Sequence, residues 1–153
     1  MQLSIAQIGI GSVFSVLTFI FGGWDILIQY LLLFMIFDYL TGMARATLRK
    51  EITPRKGFVG LAKKIAILMI VAIAHGLDQL FLTMESNIFG VELPIIRTFV
   101  IWGYMINEMT SILKNIKLLG VPLPSILQTV LSILQEDERV SLNNEEKSIE
   151  SKE

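Results

Sequence analysis

The chain has 153 residues, of which 53% are apolar and 18% charged, with a formal net charge of −1 and a mean hydropathy of +0.63. Apolar residues gathered in long blocks exclude an ordinary water-soluble globular domain and point to an all-α integral membrane protein. The absence of cysteine excludes disulfides and thiolate metal sites, and with one histidine no zinc site is expected.

The first block, Leu3 to Phe21, has about the 20 residues that a helix needs to cross roughly 30 Å of hydrocarbon. No Lys or Arg precedes it and no A-x-A-like site follows, so a cleaved signal peptide is not expected. Ser4, Gln7, Gly11, Ser15, Thr18 and Gly22 recur every three or four residues and give this helix a small, polar stripe. A surface-lying helix would carry Lys or Arg there. The stripe suits close helix packing centred on Gly11 and Ser15, either inside one monomer or on a face that meets water in an assembly. The second block, Trp24 to Ala44, contains Gly42 as a further candidate for close packing, and Trp24 is a candidate interfacial aromatic.

A basic segment at residues 45–64, "RATLRKEITPRKGFVGLAKK", holds Arg45, Arg49, Lys50, Arg55, Lys56, Lys63 and Lys64 against one acid. The third block, Ile65 to Thr83, leads into "MESNIFGVELP", residues 84–94, with two acids and no base. The positive-inside bias makes the first connection cytoplasmic and the second external. The fourth block, Ile95 to Leu113, then ends inside beside Lys114 and Lys117; Trp102 and Tyr104 within it suit either the interface or the bundle. Three spans are therefore expected, with a fourth at the N-terminus. Pro122 and Pro124 make Leu118 to Leu134 a poor span. A short helix capped by Ser125 and reaching Gln135 is predicted there, lying on the membrane or docked on the bundle. The remainder is polar and acidic, with seven Asp/Glu against three Lys/Arg in residues 135–153, and is predicted to be a disordered cytoplasmic tail. The expected division is thus an N-terminal hydrophobic helix (1–23), a membrane unit (24–134) and the tail (135–153).

Ionisable groups inside these spans need an explanation, since each costs about 2.5–3.5 kcal/mol to insert at a helix centre. Counting 1.5 Å per residue from the outer ends, Asp38 and Glu108 share a level about 20 Å down, in the inner half. His75 lies near the middle of its span and Asp78 one turn further out, at a spacing that lets the imidazole donate to the carboxylate. Asn107 adds an amide beside Glu108. Three readings stay open: protonated carboxylates hydrogen-bonded between helices, a proton or ion path, or a switch whose groups re-pair when copies assemble. No nucleophile turn or phosphate loop is present, so no catalytic residue and no cofactor is expected. The basic segment is accounted for by topology and by attraction to anionic lipid, without nucleic acid.

The segments "FGGWDILIQYLLLFMIFDYLTGMARA" (21–46), "KGFVGLAKKIAILMIVAIAHGLDQ" (56–79) and "YMINEMTSILKNIKLLGVPLP" (104–124) resemble the toxin-secretion and phage-lysis holin family. The elements D-Y-x-T-G, G-x-x-K-K, A-H-x-x-D and N-E-x-x-S-I-L-x-N occur in order, which places Asp38, Tyr39, Gly42, Gly60, Lys63, Lys64, His75, Asp78, Asn107, Glu108, Ser111 and Asn115 on the pattern. Gly23, Trp24, Asp25, Gly120 and Pro124 belong to it as well. The resemblance implies a protein of the bacterial cytoplasmic membrane that joins other copies of itself in the lipid bilayer as a large homo-oligomer. The resulting lesions would release an endolysin or a toxin as cargo. A small proton- or ion-coupled channel or carrier, or a non-conducting membrane scaffold, is the alternative.

Overall fold

The structure, a computed structural model, describes residues 5–50, 53–83 and 95–136. These form five helices: α1 (Ile5–Phe21), α2 (Ile26–Leu48), α3 (Pro54–Thr83), α4 (Ile95–Leu118) and α5 (residues 125–136). The connection at 84–94 and the acidic tail from 137 onward lie outside the described residues.

Each helix ends where the sequence supplies a stop. Gly22 and Gly23 both take positive φ (75° and 116°), and the Gly23 amide donates to the Thr18 carbonyl at 2.8 Å, closing α1 with a left-handed cap. Asp25 then opens α2 as its N-cap, accepting from the Ile28 amide at 3.0 Å. Gly120, at φ 86°, closes α4 in the same manner through the Val121 amide and the Ile116 carbonyl. At α5 the expected Ser125 cap is corrected. The Pro124 carbonyl accepts from the Leu127 and Gln128 amides, so Pro124 is the capping position and Ser125 lies within the first turn.

The basic segment expected as a 20-residue connection is mostly helix. α2 continues through Arg45 to Leu48 and α3 begins at Pro54, a position where proline costs no helical hydrogen bond. The Lys56 side chain lies outside the described residues.

The core is a three-helix contact of α2, α3 and α4. Ile28, Leu31 and Met35 of α2 meet Val71 of α3 and Ile101 and Met105 of α4. Their three- and four-residue spacing puts each set on one helix face. Tyr104 packs against this core, whereas Trp102 is exposed. α1 touches chiefly α3, and its ring Phe14 packs on Trp24 with centroids 5.5 Å apart. On α5, Leu131 is buried, and Leu134 shares a cavity of about 470 Å³ with Ile70 of α3 and Val100 and Tyr104 of α4, so α5 turns back against the bundle.

α2 and α3 are long and apolar enough to cross a membrane, and α1 is apolar but shorter. Only 17% of the apolar stretch of α2 and 11% of that of α3 are buried. A core helix of a soluble protein would be covered; these turn Ile36, Leu40, Ile65, Met69, Ile73 and Leu80 outward.

Candidate functional site

Charged side chains tie α2, α3 and α4 together at two levels, inner and outer in the orientation expected from the basic segment. At the inner level the Lys64 ammonium of α3 donates to Asp38 Oδ2 of α2 at 2.9 Å and to Glu108 Oε2 of α4. The three side chains are 13%, 19% and 7% exposed, so this is a largely dehydrated triad with one cation shared by two carboxylates. Asn115 of α4 extends it, donating to Asp38 Oδ1 and to Thr41 Oγ1, both at 3.3 Å. Gly42 sits opposite: a Cβ there would meet the Asn115 amide nitrogen at 3.5 Å, ordinary contact distance. Asn107 is exposed and lines cavities on both sides of α4.

Lys64 was expected among the membrane-surface cations. In the structure its side chain turns in between the helices, where Asp38 and Glu108 converge. Of the other basic residues, Arg49, Lys50, Arg55 and Lys63 are exposed and Arg45 is half-buried.

At the outer level the Arg97 guanidinium of α4, 2% exposed, donates through Nη1 to Asp25 Oδ2 of α2 at 2.6 Å. Asp78 of α3 accepts from the backbone amides of Ile96 at 3.0 Å and Arg97 at 2.8 Å. It thus caps α4 from a neighbouring helix, satisfying donors that the first turn cannot pair internally and facing the positive end of the helix dipole. Burial by itself would raise the Asp25 carboxyl, but hydrogen bonds from Arg97 and the Ile28 amide outweigh it and hold it below its ordinary value. The stability this contact supplies is present above the unfolded carboxyl range and is lost in acid, as the pH falls through the lowered folded value.

The expected His75–Asp78 pair is corrected as well. Asp78 is occupied by α4, and His75 Nδ1 is buried without a hydrogen-bond partner. The ring instead lies over Gly22, where an added Cβ would collide with it. With φ at 75°, Gly22 is doubly suited to glycine, and it seats the end of α1 on α3. Further along α1 nothing lies within 4 Å of a Cβ built at Gly11, and Ser15 is exposed, its hydroxyl donating to the Gly11 carbonyl.

Along the helices the two levels are about 16–21 Å apart. Each core helix contributes one group to each: Asp25 and Asp38 from α2, Asp78 and Lys64 from α3, Arg97 and Glu108 from α4. Arg97 was not singled out in the sequence, where its place in the first turn of an apolar block reads as a boundary charge. Asp25 appeared there only as a position of the family pattern.

A cavity of about 640 Å³ opens beside the inner triad, walled by α2, α3 and α4. Asp38, Tyr39, Gly42, Gly60, Lys63 and Lys64 line it, with Asn107, Glu108, Ser111 and Asn115 across from them. The motif positions of the inner half thus surround one polar cleft.

The model of the bacteriophage holin family matches residues 15–136. The chain belongs to that family. Uncharacterized protein CPE0383 of Clostridium perfringens is 37% identical over 136 residues, covering 88% of this chain and 95% of that protein. Uncharacterized protein Lin0175 of Listeria innocua is 36% identical over 131 residues, covering 86% and 85% of the two chains. Uncharacterized protein YqxH of Bacillus subtilis is 30% identical over 130 residues, covering 85% and 86%. No solved structure matches the chain. Membership of the holin family, together with the outward apolar faces of α2 and α3, makes this holin-family chain a membrane protein.

Proposed function

We propose that the protein acts as a holin, assembling in the bacterial cytoplasmic membrane into lesions that let an endolysin or a toxin out of the cytoplasm. Family membership supports the class, and the observation that supports assembly is the uncovered middle of the α1 stripe: among the described residues nothing lies within 4 Å of a Cβ built at Gly11, and Ser15 is exposed. In this reading α2, α3 and α4 span the bilayer, α1 adds a further span, and the basic segment and C-terminus face the cytoplasm. Residues 24–134 form the membrane unit and 135–153 its cytoplasmic tail.

Size requires many copies. A folded cargo of about 200 residues has a radius of gyration near 16 Å and is roughly 40 Å wide. Lining such a hole takes on the order of 15 helices of about 10 Å diameter. One monomer has no such lumen. The wall of the hole must present polar groups to water, which the stripe of α1 supplies more readily than the apolar outer faces of α2 and α3.

Two measurements test this reading. Induced expression in a bacterium that accumulates a cytoplasmic endolysin should give abrupt lysis, with a folded reporter enzyme escaping and a cross-linked ladder well beyond a dimer. Leakage of ions with the reporter retained would instead assign a small channel. For topology, a cysteine at Thr53 should be shielded from an impermeant external thiol reagent while one at Asn87 reacts; the opposite pattern would overturn the orientation.

A further inference from the structure

We infer that the cleft beside the inner triad is a binding site for the phosphodiester headgroup of an anionic phospholipid. Its volume of about 640 Å³ lies within the range of ligand pockets. Glycines help keep it open: Gly42, Gly57 and Gly60 line it, and a Cβ at Gly60 would meet no other atom.

Charge selects the ligand. Four cationic side chains, Arg45, Lys63, Lys64 and Lys114, line the cleft against two carboxylates, Asp38 and Glu108. Both carboxylates are engaged by Lys64, so the triad itself carries one net negative charge at its base, which Arg45 and Lys63 alone turn into a net positive charge for the cleft. Ser111 and Asn107 add neutral groups able to hydrogen-bond phosphate oxygens and a polar headgroup. Arg45 lies about 10 Å beyond Asp38 along α2, toward the helix end. That places Arg45, and Lys114 at the matching end of α4, near the level where lipid phosphates lie if the bundle spans the bilayer with this end inside, with Lys63 and Lys64 deeper, beside the two carboxylates. A basic pocket between helices on the cytoplasmic side is the form that headgroup sites take. The inference rests on the membrane orientation proposed above but not on lesion formation.

The test uses the purified full-length protein. Native mass spectrometry during titration with phosphatidylglycerol and, separately, phosphatidylcholine should show one tightly retained phosphatidylglycerol per monomer and weaker retention of phosphatidylcholine. The double variant Arg45→Gln/Lys63→Gln should lose that preference by roughly tenfold or more, as removal of two charges near a lipid phosphate implies. Arg49→Gln/Arg55→Gln removes the same charge from outside the cleft and should retain it. Circular dichroism in each case reports whether the helices are intact, and both pairs lie outside the buried core. Equal loss in the two double variants would overturn the site in favour of diffuse attraction. Equal retention of both lipids by the wild type would overturn it outright. Binding of inorganic phosphate that depends on Arg45 and Lys63, without any phosphatidylglycerol preference, would overturn the lipid assignment and make a soluble phosphate compound the ligand. Failure of the protein to enter bilayers at all would instead count against the membrane reading.

Discussion

Lys64→Met is expected to destabilise the bundle by about 3–5 kcal/mol, because it leaves Asp38 and Glu108 facing each other in a dehydrated site with no cation between them. Breaking a buried charge group by removing one member is costly; removing the whole group is not. The triple variant Asp38→Asn/Lys64→Met/Glu108→Gln should therefore recover most of the loss, since nothing ionised then stays behind. Thermal unfolding of the purified protein in detergent is the direct measurement, with membrane accumulation as a second. If Lys64→Met melts like the wild type, the triad is not a stabilising contact. If the triple variant is as weak as the single one, packing of the Lys64 stem is responsible rather than charge. The single amide variants carry the functional question. Asp38→Asn or Glu108→Gln leaves Lys64 one carboxylate, so either should insert and accumulate; altered lysis timing in such a variant would show that the triad acts in assembly.

Asp78→Ala should be the next most damaging change, at roughly 2–4 kcal/mol. The carboxylate accepts two backbone amides of the α4 first turn, and its removal deprives buried donors of partners at about 1–3 kcal/mol each. Asp78→Asn retains an acceptor oxygen and should lose much less, chiefly the charge–dipole part. Amide hydrogen exchange at Ile96 and Arg97 is the informative readout, because those protons should exchange faster in Asp78→Ala while amides in the middle of α2 stay protected. Unchanged protection at Ile96 and Arg97 would show that Asp78 does not cap α4. His75→Ala, in contrast, removes no hydrogen bond at Nδ1 and only the contact with Gly22, and should loosen α1 alone.

Depth along a helix is legible in a sequence, and it is what puts Asp38 and Glu108 at one level from nothing more than residue counting. The partner between them is not. Lys64 follows Lys63 at the edge of a basic segment, and a rule about loops assigns both to the membrane surface; because α3 already starts at Pro54, the two lie on a helix about 100° apart, Lys63 outward and Lys64 toward the two carboxylates. His75 and Asp78 fail for a different reason. Spacing reports which side chains of one helix can meet, but the unpaired amides of another helix's first turn are invisible to it, and these hold Asp78 more effectively than an imidazole would. Ser125 is not the cap because α5 starts at residue 125, one residue earlier than its side-chain preference suggests, with the Pro124 carbonyl accepting the first amides. The short helix after Pro124 is present, with Leu131 buried toward the bundle while Ile126 and Ile133 stay exposed.

The division of the two charge clusters among three helices also sets an order of biosynthesis. When α2 and α3 have emerged, Lys64 can already neutralise Asp38, but Asp25 has no guanidinium and Asp78 no amides to accept from, because both come with α4. A nascent chain that stops before Ile95 therefore leaves Asp25 without its guanidinium and Asp78 without the amides it accepts from, and one that stops before Glu108 leaves the inner cation half-matched. Completion of the last core helix is what turns a set of costly charges into a closed bundle, so shortened products of translation begin life as poor competitors for a place in any assembly of full-length chains.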